Sequence, residues 1–163
     1  MQYNLELDKK QANPIDIGWM TGMIEAEGSF VMNLANHKRQ IQARISFTNT
    51  DKDVLTNFCR ILDEWNIKYY EVTARREHFG KKLRTDIQVY RFDSVNRLME
   101  IIYPYLSSKK HRAACVWNFV QSRLLQYNGR KNLTNAEKAY TPHQWRIYED
   151  FRKASESIGL ALS

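Results

Sequence analysis

The sequence predicts an α+β fold in which helices cover one face of an antiparallel sheet. Three observations indicate it: a helical stretch that ends at Gly28, alternating apolar and polar residues directly after it, and a second helix–hairpin unit further on. The predicted order is αββαββα followed by C-terminal helices. No repeat or linker divides the chain, so we expect a single domain over residues 1–163.

The first helix, predicted over about residues 15–28, has two unlike faces. At about 100° per residue, its large apolar residues share one broad face suited to a core; these are Ile17, Trp19, Met20, Met23 and Ile24. The other face carries Gly18, Gly22 and Ala26, with Thr21 and Glu25 beside them. Gly inside a helix costs about 1 kcal/mol relative to Ala, so the two glycines on this face require an explanation. Small residues four apart allow a second helix to approach closely.

The C-terminal end of this helix carries two carboxylates, Glu25 and Glu27, followed by Gly28 as the predicted cap. The helix dipole disfavours negative charge at a C-terminus. Such an unfavourable placement suggests a functional site.

Two strands are predicted after Gly28, each with one apolar and one polar face. The polar positions of this first hairpin include Asn33, Gln40, Gln42, Arg44, Ser46 and Thr48. Side chains of these types hydrogen-bond base edges and phosphates. An ordinary solvated face would usually hold Lys and Glu as well. We therefore interpret this face as one that reads nucleic acid.

A second hairpin is predicted over residues 69–92. Its first strand is expected to turn Tyr70, Val72 and Ala74 inward, and its outward residues are expected to be Tyr69, Glu71, Thr73 and Arg75. In its second strand the polar residues Arg84, Asp86 and Gln88 share a face. Strict alternation places Tyr90 and Phe92 on the same face as these polar residues, although both look like core residues. A bulge would resolve this conflict and move Arg91 onto the polar face.

Four further helices are predicted. A capping box over residues 50–53 opens the first, and Asp93 or Ser94 caps the second, which ends near Pro104. The third covers about residues 109–125, and the last follows a capping box at Thr141 and Gln144.

The charge distribution indicates a polyanionic partner. The net charge is +7 and the pI is near 9.4. No acidic residue occurs between Glu100 and Glu137, where the basic residues are Lys109, Lys110, Arg112, Arg123, Arg130 and Lys131. Cys59 and Cys115 are isolated and read as reduced core residues, and no His pair has ligand spacing. With no signal peptide and no transmembrane run, we expect an intracellular protein without a membrane partner.

The stretch from Met20 to Gly28 resembles the signature of the LAGLIDADG homing endonucleases at all nine positions by type. Gly22, Ile24, Ala26 and Gly28 match as they stand. Met20 and Met23 replace Leu, Thr21 replaces Ala, and Glu25 and Glu27 replace Asp. The continuation Ser29-Phe30, the single copy of the motif and the downstream layout strengthen the resemblance.

The resemblance implies a homodimer that pairs the first helix with its copy through Gly18, Thr21, Gly22, Glu25 and Ala26. It further implies an enzyme that makes staggered double-strand breaks at a long, pseudo-palindromic DNA site. Two sheets would form a DNA-binding saddle along the major groove. Mg²⁺ is the expected cofactor, with Mn²⁺ substituting and Ca²⁺ binding without cleavage, and no small-molecule cofactor is expected.

Site roles follow residue by residue from the same resemblance. Glu27 stands at the metal-binding position, and the carbonyl of Ala26 assists. Asn49 stands where a polar residue orders water near the metal, and Lys109 where a lysine approaches the scissile phosphate, with Lys110 as its rival. Further DNA contacts are expected from the second hairpin and the basic residues, namely Tyr69, Glu71, Thr73, Arg75, Arg84, Asp86, Gln88, Arg91, Lys110, Arg130 and Lys131.

Two other functions remain open for a chain of this resemblance. One is an RNA-binding intron maturase, and the other is a DNA-binding regulator that has lost catalysis. An acid retained at Glu27 favours the nuclease. The compartment stays unresolved between an organelle (chloroplast or mitochondrion) and a prokaryotic or archaeal cytoplasm.

Overall fold

The described residues of the computed structural model are 12–37, 40–74 and 83–161, and they have the predicted order of elements. In chain order the elements are α1 (Pro14–Glu27), β1 (Gly28–Ala35), β2 (Gln40–Asn49), α2 (Lys52–Glu64), β3 (Tyr70–Ala74), β4 (Arg84–Val89), α3 (Phe92–Ile102), a 3-10 turn (Tyr103–Tyr105), α4 (Lys110–Tyr127), α5 (Asn135–Lys138) and α6 (Pro142–Ala161). The strands form one antiparallel sheet in the order β1-β2-β4-β3. The α+β prediction is confirmed.

The helices cover one face of the sheet and enclose the core. Met20 and Ile24, from the apolar face of α1, are fully buried. Phe47 of β2 stacks on Phe58 of α2 with ring centroids 4.1 Å apart and ring planes within 3°. The alternation of β2 places Ile45 and Phe47 in this core, so the residues between them turn to the opposite face.

That opposite face is the polar face predicted from the first hairpin and from β4. Residues directly opposite each other on paired strands project from the same side of a sheet. Gln42 pairs with Asn33, while Ser46 pairs with Gln88 and Thr48 pairs with Asp86. Polar side chains therefore run across β1, β2 and β4, and we call this surface the polar face.

The prediction of which β3 residues face the core is wrong. Tyr70 lies opposite Gln88 and Val72 lies opposite Asp86, so both project from the polar face, with 57% and 51% of their surfaces exposed. Glu71 lies opposite Ile87, which is buried under the helices.

The residues predicted to face outward from β3 and contact DNA therefore lie on the helix side of the sheet, so that prediction is wrong for the described ones, Tyr69, Glu71 and Thr73. The Tyr69 ring packs against the core, and its hydroxyl donates to Asp63 of α2 at 3.3 Å. Glu71 accepts a hydrogen bond from the Cys59 thiol at 3.5 Å, and Thr73 pairs with Thr85. Arg75 lies outside the described residues.

No bulge brings Arg91 onto the polar face. The β2–β4 ladder runs without interruption from Thr85 to Val89, and Tyr90 projects from the polar face with 43% of its surface exposed. Arg91 instead precedes α3 as its N-cap and forms an exposed ion pair with Asp93 at 3.1 Å. The predicted caps Asp93 and Ser94 lie inside the first turn of α3.

Three local predictions can be compared directly with the structure. The box at Thr141 and Gln144 is present, with both hydrogen bonds formed at 3.0 and 3.2 Å. Asp51 rather than Thr50 caps α2, because its carboxylate accepts from two amides of the first turn. Gly28 follows α1 in an extended conformation with φ −76°. A Cβ there would lie 2.7 Å from the Ile24 carbonyl oxygen, so close packing requires this glycine.

Cys59 and Cys115 are free thiols, partly buried and buried respectively. Burial raises the pKa of Cys59 to about 11, which keeps this thiol protonated at neutral pH. Across the described ranges, no helix has the length and apolarity needed to cross a membrane.

Candidate active site and nucleic-acid interface

Glu27, the last residue of α1, meets Asn49, the last residue of β2, at one end of the sheet. The Asn49 amide nitrogen donates to the Glu27 carboxylate at 2.7 Å. The amide oxygen of Asn49 accepts from the backbone N–H groups of Thr50 and Asp51 at 2.7 and 2.8 Å. These two bonds fix the orientation of the amide, so its donor side points at Glu27. The carboxylate itself is exposed.

Lys109 binds the same end of α1 from a distant part of the chain. Its ammonium group donates to the backbone carbonyls of Ile24, at 2.9 Å, and of Gly28. Carbonyls at a helix C-terminus carry partial negative charge, which a cation offsets. Lys109 therefore counteracts the unfavourable dipole that the two carboxylates face.

Glu25 makes the reciprocal contact with the start of α4. Its carboxylate accepts from the Ser108 hydroxyl at 2.6 Å and from the Ser107 backbone N–H. These groups immediately precede α4, whose N-cap residue, Lys109, makes no side-chain capping bond. An anion at a helix N-terminus is favourable. Glu25 and Lys109 thus join the negative end of α1 to the positive end of α4, and we call this arrangement the clasp.

The clasp shifts the pKa values of both its charged groups. Burial alone would raise the pKa of Glu25, but the hydrogen bonds from Ser108 and Ser107 and the Lys109 charge outweigh it and lower the pKa. Burial lowers the pKa of Lys109, and the neighbouring Glu25 charge opposes that shift. The shift at Glu25 favours its ionised form, whereas burial disfavours the charged form of Lys109 and the Glu25 charge partly offsets this.

The neighbouring lysine occupies a different place. Lys110 lies over the Tyr103 ring, with its ammonium nitrogen 5.2 Å from the ring centroid. Of the two lysines predicted for the catalytic role, Lys109 is the one in contact with the residue that follows Glu27.

The donors at the end of α1 suit a hard divalent cation only in part. Glu27 carries an exposed carboxylate and Ala26 a backbone carbonyl, and oxygen atoms of these kinds are the ligands that Mg²⁺ prefers. Across the described residues, no cluster of three His, Cys, Asp or Glu residues could hold a metal alone. Mg²⁺ commonly keeps several waters and is held by one or two carboxylates together with substrate phosphates.

The small-residue face of α1 lines a surface groove with a volume of about 560 Å³. Its lining residues are Pro14, Ile17, Gly18, Thr21, Gly22, Glu25 and Tyr105. A Cβ added to Gly18 or Gly22 would meet no atom within 4 Å. Packing inside one chain therefore does not explain either glycine. The Thr21 hydroxyl donates to the Ile17 carbonyl of its own helix at 2.7 Å, which leaves the groove without a free donor at that position.

The polar face is partly ordered by its own hydrogen bonds. Arg44 donates to the Asn33 side chain at 2.9 Å. Ser46, Thr48 and Gln88 all donate to the Asp86 carboxylate, Thr48 at 2.9 Å. Asp86 is thus held at the centre of the sheet with its orientation fixed. Gln40 and Gln42 are exposed on β2, and Arg84 is exposed on β4.

The basic segment after α3 divides into structural and exposed residues. Arg123 is only 5% exposed and lies between the Tyr127 and Tyr140 rings, at 4.9 and 4.6 Å, so it stabilises the fold. Arg130 is exposed and pairs with Glu137 at 3.1 Å, and Lys131 is exposed.

Sequence reasoning missed the contribution of Ser107 and Ser108. Both are short polar residues in a turn, and they lie 82 and 83 positions from Glu25. No local pattern links them to α1. The one available signal was the unfavourable pair of carboxylates, which needed compensation from elsewhere.

Solved structures with the same fold are DNA-binding enzymes. The homing endonuclease I-CvuI, in complex with its target in the presence of Ca²⁺, shares 15% identity at a TM-score of 0.54, over 91% of this chain and 96% of that one. The archaeal intron-encoded homing endonuclease I-Vdi141I, complexed with DNA, shares 16% identity at a TM-score of 0.55, over 85% and 97%. At such identities these likenesses establish the fold.

The family follows from the sequence itself. No curated protein matches the chain. The family model for LAGLIDADG endonucleases matches residues 20–121, which is more than half of the 163 residues. This range contains the end of α1, all four strands and the clasp. The chain belongs to the LAGLIDADG endonuclease family.

Proposed function

We propose that the protein is a homodimeric, Mg²⁺-dependent DNA endonuclease that makes staggered double-strand breaks at a long, pseudo-palindromic site. The observation that carries this proposal is the convergence of Glu27, Asn49 and Lys109 at the end of α1, where β2 also ends. Their spacing in sequence is large, so their contact in space is informative. An exposed carboxylate can hold a divalent cation, and an oriented amide and a lysine beside it are suited to position water and phosphate in metal-assisted hydrolysis.

Glu27 and the Ala26 carbonyl would hold the divalent cation together with DNA phosphate oxygens. When bound, the ion supplies a water of lowered pKa and stabilises the leaving oxygen. Asn49 keeps the Glu27 carboxylate in place and presents a polar side chain to solvent beside it. Lys109 retains one N–H donor beyond its two carbonyl bonds, which is available to a phosphate.

A second copy of the chain is the partner we infer for the groove on α1. The groove is open where Gly18 and Gly22 expose the helix backbone. Two such faces related by a two-fold axis are self-complementary, as homodimer interfaces must be. Pairing α1 with its copy would bring two Glu27 carboxylates together, one for each DNA strand. Among the described residues, no group of three or more His, Cys, Asp and Glu could hold a metal within one chain, and a dimer would place two Glu27 carboxylates at the cleavage site.

Double-stranded DNA is the substrate we infer from the polar face and the charge. Asn33, Gln42 and Arg44 can contact base edges in a major groove, and Asp86 can accept from the amino group of cytosine. Exposed Arg130 and Lys131 would contact phosphates. The net charge of +7 supports this general attraction.

The test is cleavage of a DNA duplex with and without Mg²⁺. A duplex enriched from a randomised library by binding to the protein in Ca²⁺ serves as the probe. We expect binding in Ca²⁺ without cleavage, and staggered cuts in both strands when Mg²⁺ or Mn²⁺ replaces it. Binding of the duplex without cleavage in any of these ions would favour the DNA-binding regulator. Preference for a structured RNA over every duplex would favour the maturase.

A further inference from the structure

Three apolar side chains interrupt the polar face at its β3 edge. Tyr70, Val72 and Tyr90 are 57%, 51% and 43% exposed, and we call them the apolar patch. The Tyr70 and Tyr90 rings pack against each other with centroids 5.0 Å apart. Contiguous exposed apolar surface on a soluble protein usually marks a binding site. The question is what covers this one.

The register of the sheet makes the apolar patch continuous with the polar face. Val72 lies opposite Asp86, which in turn lies opposite Thr48. Tyr70 lies opposite Gln88, which in turn lies opposite Ser46. Each apolar residue thus extends a cross-strand row of polar side chains by one strand spacing, about 4.8 Å. A ligand that spans β2 and β4 also reaches β3.

One ligand matches both kinds of surface. In the major groove each base pair offers hydrogen-bonding groups, and thymine adds an apolar 5-methyl group. The side chains of Asp86 and Gln88 suit the former, whereas a branched aliphatic or aromatic side chain suits the latter. The members of the apolar patch carry no carboxylate or ammonium group. They therefore cannot read the hydrogen-bonding groups of a base pair through a charged side chain.

We propose that the apolar patch reads thymine methyl groups, with Val72 and Tyr70 as specificity-determining residues. This inference rests on the proposed function, since it assigns part of the same DNA surface. In a two-fold homodimer the preference for thymine should occur at two symmetric positions, one in each half of the target.

Replacement of thymine by deoxyuridine tests the proposal, because it removes only the methyl group and keeps every base-pairing and hydrogen-bonding group. The probe is the duplex enriched from a randomised library by the wild-type protein in Ca²⁺. Each thymine is replaced in turn, and the dissociation constant is measured. We expect about a fourfold weakening for each methyl that the apolar patch buries, at two symmetric positions.

Measuring the deoxyuridine penalty with protein variants identifies the side chain that contacts the methyl group. Val72→Ala should abolish the deoxyuridine penalty at one symmetric pair of positions and leave the other positions unchanged. Val72→Thr, which keeps the shape and the strand preference of valine, should reduce that penalty and guards against an effect on folding of β3. The matched control is Leu125→Ala on α4, which removes an 80% exposed apolar side chain far along the chain from the sheet. It should leave every penalty at the wild-type value.

The outcomes separate this inference from the function it rests on. If no duplex is enriched, the proposed function fails, and the inference fails with it. If a duplex binds specifically but deoxyuridine has no effect, or its effect is the same in wild type and Val72→Ala, the apolar patch does not read methyl groups although the protein is a DNA-binding protein. A Val72→Ala variant that changes the sedimentation coefficient with unchanged penalties would show that the apolar patch is a protein interface and overturn the inference.

Discussion

Glu25 and Glu27 lie two residues apart at the end of the same helix, but their surroundings differ. The Glu25 carboxylate accepts hydrogen bonds from Ser107 and Ser108, and its pKa is lowered by them against the effect of burial. The Glu27 carboxylate is exposed, and the described residues supply it with one hydrogen bond, from Asn49. The first carboxylate belongs to the clasp, while the second keeps free coordination sites.

The difference shows how one helix end can be both stable and reactive. The clasp offsets the dipole through Lys109 and fixes α1 against α4. Glu27 can then remain exposed at low cost. The same division holds along α1, where Met20 and Ile24 are buried by the chain and Gly18 and Gly22 are not covered by it. Groups satisfied within the chain should affect stability when changed, and groups left open should affect function.

Glu27→Gln should have the largest effect. Gln keeps the size of Glu and can still accept from Asn49, but it loses the charge that binds a hard cation. Since loss of even an outer-shell partner of a metal costs about 10–100-fold, we expect cleavage in Mg²⁺ to fall at least 100-fold. DNA binding should persist, because it depends on the sheet and the basic surface.

The measurement is cleavage in Mg²⁺ beside a gel-shift titration in Ca²⁺ on the same duplex. Glu27→Asp restores the acid usual in the family and should retain part of the activity, which makes it the control for charge. Wild-type cleavage by Glu27→Gln would exclude Glu27 as the metal ligand.

Gly22→Leu should separate association from folding. A Cβ at Gly22 meets nothing within 4 Å in one chain, so the monomer should fold normally. Overpacking typically costs about 1–3 kcal/mol, which corresponds to roughly a 5- to 150-fold weaker dimer. Sedimentation across a concentration series measures the change.

Gly28→Ala is the matched control for Gly22→Leu, with the opposite expected result. Its Cβ would lie 2.7 Å from the Ile24 carbonyl oxygen, so this change should lower the free energy of unfolding and leave the dimer face intact. A wild-type protein that sediments as a monomer at micromolar concentration and still cuts both strands would refute the dimer.

Glu25→Gln should act on stability in a pH-dependent way. Hydrogen bonds to a charged group contribute about 1.5–3 kcal/mol, so we expect a loss of about 1.5 kcal/mol in the free energy of unfolding at pH 7. Because the folded pKa of Glu25 is lowered, its contribution is present above the unfolded pKa, about 4.3, and is lost as pH falls through the lower folded value. The difference between wild type and variant should therefore shrink as the pH falls below about 4.3, the unfolded pKa, and disappear once the pH is below the folded pKa.

Urea unfolding at several pH values measures this difference. Glu64→Gln removes an exposed carboxylate from a surface ion pair with Arg60 and serves as the control, with an expected effect of about 0.5 kcal/mol or less. A Glu25→Gln penalty that is equal at pH 7 and pH 3 would mean that the charge of Glu25 does not contribute.

The same contrast explains which features the sequence could predict. β2 has 10 residues of strict alternation, and its polar face was predicted correctly. β3 has 5 residues, and Tyr69 and Tyr70 are adjacent aromatics, so either phase buries one ring. The structure partly buries Tyr69 against the core, with its hydroxyl bonded to Asp63 of α2, a contact that no pattern within the strand encodes. The edge position of β3 leaves its other face exposed.

The candidate site shows the same limit. Glu27, Asn49 and Lys109 follow from resemblance to a motif and its layout, and the structure brings them together. Glu25 could be recognised only as an unfavourable charge. Its partners Ser107 and Ser108 are separated from it by more than 80 residues, and they come close only because α3 and the 3-10 turn return the chain to α1.

Arg44→Ala and Arg130→Ala should both weaken DNA binding, but in different ways. Arg44 lies on the polar face, where Asn33 orients its guanidinium group, so its loss should cost about 1–3 kcal/mol at particular base pairs and relax the preference there. Arg130 is exposed and pairs with Glu137, so its loss should weaken binding to all sequences alike. Each lost phosphate contact reduces the slope of log K against log salt by about 0.9, so the two copies in a dimer should together reduce it by about 1.8. Binding to a library of single-base variants of the enriched duplex, at two or more salt concentrations, measures both effects. Because Glu137 already neutralises part of the Arg130 charge, Glu137→Gln should strengthen DNA binding slightly in the wild-type background and have less effect beside Arg130→Ala. A uniform loss across the library from Arg44→Ala would show that Arg44 contacts phosphate rather than bases.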